Sequence, residues 1–148
     1  MKKYILLLIV PFFSFTQNIS SSCALSVEKG WAINNDYLNN DYSKPAYGYV
    51  KAVFQFTNHY NKTIVGVEYS YKFTDVFGEI LARGTGKELS KILPGKSNNI
   101  NTYLYWEDNP YIDNEVYDNL WPSVKGGNTK KIILITKVAF ENGEILRF

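Results

Sequence analysis

The sequence predicts an all-β chain, an antiparallel β-sandwich of about seven strands with one short helix. Three observations carry this. Apolar and polar residues alternate with a period of two through several segments of the 148 residues. Clusters of Gly, Pro and Asn interrupt those segments at short, regular spacings, which is the pattern of a sandwich rather than of a parallel sheet. The aromatic residues (12 Tyr, 9 Phe, 3 Trp) supply the large side chains that a half-buried pleated surface favours.

The chain opens on Lys2 and Lys3, an apolar stretch from Tyr4 to Phe13, and then Ser14-Phe15-Thr16-Gln17. Residues 1–17 read as an export signal, because an apolar core this short, with Pro11 inside it, is half of what a bilayer crossing requires. Residues 18–46 hold a first strand around Cys23–Glu28, with Cys23, Leu25 and Val27 on one face, and then a polar loop over Asn34–Pro45. Residues 47–148 form the body of the same domain. A strand from Tyr47 to Thr57 puts Val50, Ala52, Phe54 and Phe56 inward. After the turn cluster Asn58–Lys62, a strand over Thr63–Thr74 carries Val65, Val67, Tyr69, Tyr71 and Phe73 inward, and the two strands are expected to pair as a hairpin.

Asp75-Val76-Phe77-Gly78 is turn chemistry before a strand over Glu79–Arg83, which Gly84 and Gly86 are expected to break or bulge. Leu93-Pro94-Gly95-Lys96 makes another turn, with Pro fixing φ and Gly free to take positive φ. The strand Ser97–Trp106 then alternates Ile100, Thr102, Leu104 and Trp106 against Asn101, Tyr103 and Tyr105. Asn109-Pro110 with Ile112, Val116 and Leu120 predicts the helix, ended by Pro122. The unbroken Ile132-Ile133-Leu134-Ile135 predicts a strand over Lys131–Phe140 buried on both faces. Asn142-Gly143 closes a C-terminal hairpin, expected as a type I′ turn.

Removing the leader takes away Lys2 and Lys3 and brings the formal net charge of +2 to zero. A nucleic-acid partner is not expected, since phosphate neutralisation needs a basic footprint and the longest basic run is Lys130-Lys131. No membrane span is expected in the mature chain. Residues 18–148 suit one domain burying roughly two-thirds of its unfolded surface. The single cysteine, Cys23, excludes an intramolecular disulfide. It reads as a buried thiol, a lipid-modified N-terminal cysteine or an intermolecular link.

Chemistry-bearing patterns are sparse. The lone His59 sits in a turn cluster, and no G-x-S-x-G elbow accompanies it. Glu107-Asp108 with Asp113 and Glu115 is the densest acidic group, yet there is no Asp-x-Asp-x-Asp-Gly loop to hold calcium. No catalytic residue, metal ligand or cofactor is expected. The binding signal is aromatic: alternation points Tyr47, Tyr49, Tyr103 and Tyr105 away from the core, where tyrosines stack on sugar rings or anchor protein interfaces.

Four motifs carry a family resemblance: Phe54-x-Phe56-Thr57-Asn58, Tyr71-x-Phe73-x-Asp75-x-x-Gly78, Leu93-Pro94-Gly95 and Lys137-Val138-Ala139-Phe140-x-Asn142-Gly143. Together they resemble the FxLYD-type, immunoglobulin-like exported domains of bacteria. The resemblance implies a fold and an address, and no catalytic residues. The expected function is non-catalytic binding of an unknown protein or glycan partner outside the cytoplasm, in the periplasm or beyond the cell. A carbohydrate-binding module would use the tyrosines. An envelope inhibitor or immunity-type protein would use Asn34–Pro45 or Asn109–Trp121.

Overall fold

Strand pairing divides the chain into two antiparallel sheets, as seen in a computed structural model that describes residues 17–29, 48–98, 103–109, 112 and 114–148. Residues 1–16 of the expected leader, the segment Asn34–Pro45 expected as a loop, Tyr47, Ile100, Pro110 and Asp113 lie outside the described residues. The strands are β1 (Ile19–Lys29), β2 (Gly48–Asn58), β3 (Ile64–Thr74), β4 (Ile80–Glu88), β5 (Tyr103–Glu107), β6 (Lys130–Phe140) and β7 (Ile145–Arg147). One sheet has the order β1-β2-β5 and the other β4-β3-β6-β7. Lettered in chain order as A, B, C, C′, E, F and G, this is A-B-E facing C′-C-F-G, an immunoglobulin-like distribution in which the fourth strand sits beside the third.

The core forms where the inner faces meet. Phe54 and Phe56 of β2 are fully buried and meet Tyr69 of β3 at ring-centroid distances of 5.0 and 4.9 Å. Trp106 of β5 meets Tyr71 at 6.2 Å and Phe73 at 5.9 Å, edge to face. Each large apolar side chain buried this way stabilises by about 1.5–3 kcal/mol, and favourable ring geometry adds about 0.5–1.5 kcal/mol per pair. The predicted inward faces of β1 and β2 hold. Cys23 is buried while Leu25 and Val27 pack on the core, and Val50, Ala52, Phe54 and Phe56 are sealed from water.

Several expectations change. β2 and β3 do not pair as a hairpin, because each takes its neighbours from a different sheet, β1 and β5 for β2, β4 and β6 for β3. The link between them is a corner held by buried Asn58. Its Nδ2 donates to the carbonyls of Lys62 (2.8 Å) and Ile92 (2.9 Å), and its Oδ1 accepts from the Tyr60 amide (2.9 Å). In β3 a register shift between Ile64 and Gly66 resets the alternation, so Ile64 is buried and Val65 is not, while Val67, Tyr69 and Phe73 face inward as predicted.

β4 runs through Gly84 and Gly86 to Glu88 instead of breaking. The glycines lie opposite Tyr71 and Tyr69 on β3, whose rings cover them so closely that an added Cβ would sit 2.6 Å from Tyr71 Oη and 2.5 Å from Tyr69 Cζ. Ser97 makes an isolated bridge to Thr57, and the following strand begins at Tyr103. β6 is central in its sheet but not buried on both faces: Ile135 is buried, whereas Ile132 and Leu134 are exposed. The closing hairpin has positive φ at Gly143 and not at Asn142, so its turn is a three-residue loop with glycine in the left-handed position. The β3–β4 turn repeats this design at Gly78, with φ of 91°.

The helix α1 spans Val116–Lys125, starting later than predicted. Its N-terminus is set by Glu115 and Asp118, whose side chains reciprocally cap the first turn, in place of Asn109-Pro110. Pro122 lies inside the helix rather than ending it. Its ring removes one hydrogen bond to the Asp118 carbonyl, and both residues are on the exposed side where that loss is least costly. The apolar stripe consequently differs: Tyr117, Leu120, Trp121 and Val124 pack on the sheets, whereas Ile112 and Val116 are exposed. Among the described residues no helix is long and apolar enough to cross a membrane.

Candidate functional site

The outer face of the three-stranded sheet brings together three of the four tyrosines singled out from the sequence. Period-two alternation turns Tyr49 and Lys51 of β2 outward, and register places Lys51 opposite Tyr105, Val53 opposite Tyr103 and Glu28 opposite Tyr49. Tyr105 stands between the other two rings, 5.4 Å from Tyr49 and 4.8 Å from Tyr103 between centroids. Tyr103 is the most open, 46% exposed. Tyr47 lies outside the described residues.

Two charged residues that the aromatic pattern alone does not single out organise the cluster. Lys51 Nζ lies 5.1 Å from the Tyr103 ring centroid and 5.8 Å from that of Tyr105, within cation–π range. The Glu28 carboxylate accepts from Tyr49 Oη at 2.6 Å and from Ser26 Oγ at 2.8 Å. Those two hydrogen bonds hold the Glu28 carboxyl below its ordinary range. The same bond, with burial and the carboxylate charge, pushes Tyr49 up to about 12. Tyr49 is therefore a neutral donor locked to Glu28 at any physiological pH. The alternation that marked Tyr49 also places Lys51 on its face, whereas the Glu28 contact follows only from the β1–β2 register.

The three ring planes are steeply inclined to one another. Tyr49 and Tyr105 are inclined at 76° and Tyr103 and Tyr105 at 63°, so the rings interlock edge to face and do not form the coplanar row that stacks on successive sugar rings. What they offer is a ridged apolar surface with hydroxyl tips, a central ammonium and a carboxylate at one margin.

The other residues weighed for chemistry stay apart. His59 Nε2 is 2.9 Å from Ser20 Oγ on the exposed corner. Cys23 faces the core, and burial pushes its thiol up to about 11, against a smaller opposing influence of Lys131. Among the described residues no group of three or more His, Cys, Asp and Glu side chains converges to hold a metal ion.

No protein-family model matches the chain, and no curated protein does. Among solved structures, the X-ray structure of Northeast Structural Genomics Consortium target SoR45 is similar at a TM-score of 0.41 and 11% identity, over 87% of this chain and 79% of that one.

Proposed function

We propose that this chain is an exported, non-catalytic binding domain that contacts a protein partner through the tyrosine face of its three-stranded sheet. The observation that carries this reading is the interlocked Tyr49, Tyr105 and Tyr103 set around Lys51 on the outward side of the sheet. Tyrosines held rigid by their neighbours lose little entropy on binding and present both apolar area and a polar tip, which is why they anchor protein interfaces. The leader-like residues 1–17 and the resemblance to FxLYD-type exported domains support an address outside the cytoplasm. A lipid on Cys23 would require cleavage before it, which removes the buried Ile19 and the first four β1 pairings, so the reading is an unlipidated chain.

The test is a photo-crosslinking residue at Tyr103 in the intact envelope, with Phe77, exposed on the β3–β4 turn of the other sheet, as the control position. A discrete protein adduct at Tyr103 that Tyr105→Ala weakens about tenfold or more supports the reading, in line with aromatic anchors at interfaces. Retention on insoluble polysaccharide that the same substitution abolishes would replace it with a carbohydrate-binding module. No adduct and no retention would leave this face as ordinary cross-strand packing.

A further inference from the structure

We infer that the outer face of the four-stranded sheet is a docking surface for an anionic lipid membrane, independent of the tyrosine face. Its charges are one-sided. Arg83 and Lys87 on β4, Lys72 on β3, Lys137 on β6 and Arg147 on β7 all point outward, and among the described residues of these strands Glu68 is the one carboxylate on that face. Lys87 and Lys137 clasp Glu68, at 2.9 and 2.6 Å. Among the described residues Lys72, Arg83 and Arg147 have no carboxylate partner. The whole sequence has 16 Lys and Arg against 14 Asp and Glu, so this face concentrates a charge that the chain as a whole lacks.

Apolar side chains stand among these cations. Ile80, Ile132 and Leu134 are 52%, 40% and 61% exposed and line one open groove of about 570 Å³ together with Lys72 and Arg83. Nothing in the fold requires aliphatic residues there, since the core side of β6 is supplied by Ile133, Ile135 and Val138. Cations interleaved with exposed aliphatics match the two attractions of an anionic bilayer surface, headgroup charge and the apolar boundary beneath it. Extent argues for a membrane over an acidic peptide. Four strands at about 4.8 Å spacing spread the cations over about 15 Å across the strands and a similar distance along them, a planar array where a peptide would need a line.

The experiment is co-sedimentation of the processed chain with vesicles of phosphatidylcholine alone and of phosphatidylcholine mixed with phosphatidylglycerol. Binding is expected to the mixed vesicles only, falling as salt is raised. Lys72→Gln with Arg83→Gln should lower the partition coefficient about 25-fold, two factors of about fivefold from roughly 1 kcal/mol per basic residue at such a surface. Leu134→Ser should weaken binding without altering the circular dichroism spectrum, since that side chain is exposed. Equal binding to both vesicle types, no binding to either, or indifference to the double substitution would overturn the proposal. Capture by poly-glutamate without vesicle binding would assign the face to acidic proteins instead.

Discussion

The side-chain amide of Asn98 donates to the Glu88 carboxylate at 3.0 Å, and both residues are almost wholly buried between the two sheets. Asn98 Oδ1 also accepts from the Phe56 amide at 2.8 Å, while Glu88 accepts from the Ser90 amide at 2.9 Å. A single asparagine thus ties β2 of one sheet to the end of β4 in the other. The nearby Tyr69 hydroxyl is pushed up to about 12, by burial first and then by the Glu88 charge.

Asn98→Ala should therefore destabilise the fold by about 2–3 kcal/mol, because it leaves the buried Phe56 amide without its acceptor and strips a donor from a buried carboxylate. In urea unfolding the midpoint should fall at unchanged slope. Asn98→Asp is the sharper variant. It sets a second carboxylate beside Glu88, so one of the two must take up a proton in the folded state, and stability should rise as pH is lowered from neutrality. A flat profile would mean that the tie is not felt by the folded state.

Gly86→Ala should cost about 1–3 kcal/mol, the range for overpacking. The new Cβ meets the ring of Tyr69, which is 2% exposed and wedged between Phe54 and Phe56, so it has no room to swing aside. Gly66→Ala is the matched control. Its Cβ would lie 3.6 Å from the Ala139 Cβ, ordinary contact, and its effect should stay within about 0.5 kcal/mol. Thermal denaturation of the two variants side by side decides this.

These glycines also show where sequence reading stops. Alternation gives the inward face of β2, Val50, Ala52, Phe54 and Phe56, and the outward side of Tyr49, Tyr103 and Tyr105. It lost phase in β3, where the register shift beyond Ile64 has no signature in the residues. Gly84 and Gly86 read as breaks because the rings that cover them belong to another strand. The Asn58 corner read as a hairpin, since both use the same turn residues and only the contact with the distant Ile92 distinguishes them. At the candidate site, the sequence shows Tyr49, Tyr103 and Tyr105 on one face and does not show the partner that fixes Tyr49. Glu28 reaches it through strand pairing across the long intervening segment.

Glu68 should govern part of the acid sensitivity. Its hydrogen bonds from Lys137 and Lys87 hold its carboxyl down to about 2, against an ordinary 4.5. A depressed folded-state value means the stabilisation is complete above pH 4.5 and is lost as pH falls towards 2. Glu68→Gln should flatten the pH dependence of the unfolding midpoint in that window, and added salt should do the same to the parent chain because the groups are exposed. An unchanged acid limb in Glu68→Gln would show that other carboxylates carry it.

The Cys23 thiol should be unreactive in the folded chain. Burial pushes it up to about 11, so at neutral pH the attacking thiolate is scarce, and the side chain lies 8% exposed on the inner face of β1. A chromogenic disulfide reagent should label it at once in denaturant and far more slowly in native buffer, in proportion to the small population in which the site is open. Because β1 pairs with β2 along its whole length, opening that strand breaks eleven pairings, and labelling should track global stability across urea concentration. Rapid labelling of the native chain would instead show that β1 leaves the sheet on its own, and the tyrosine face, which depends on Glu28 of that strand, would then be a surface that comes and goes.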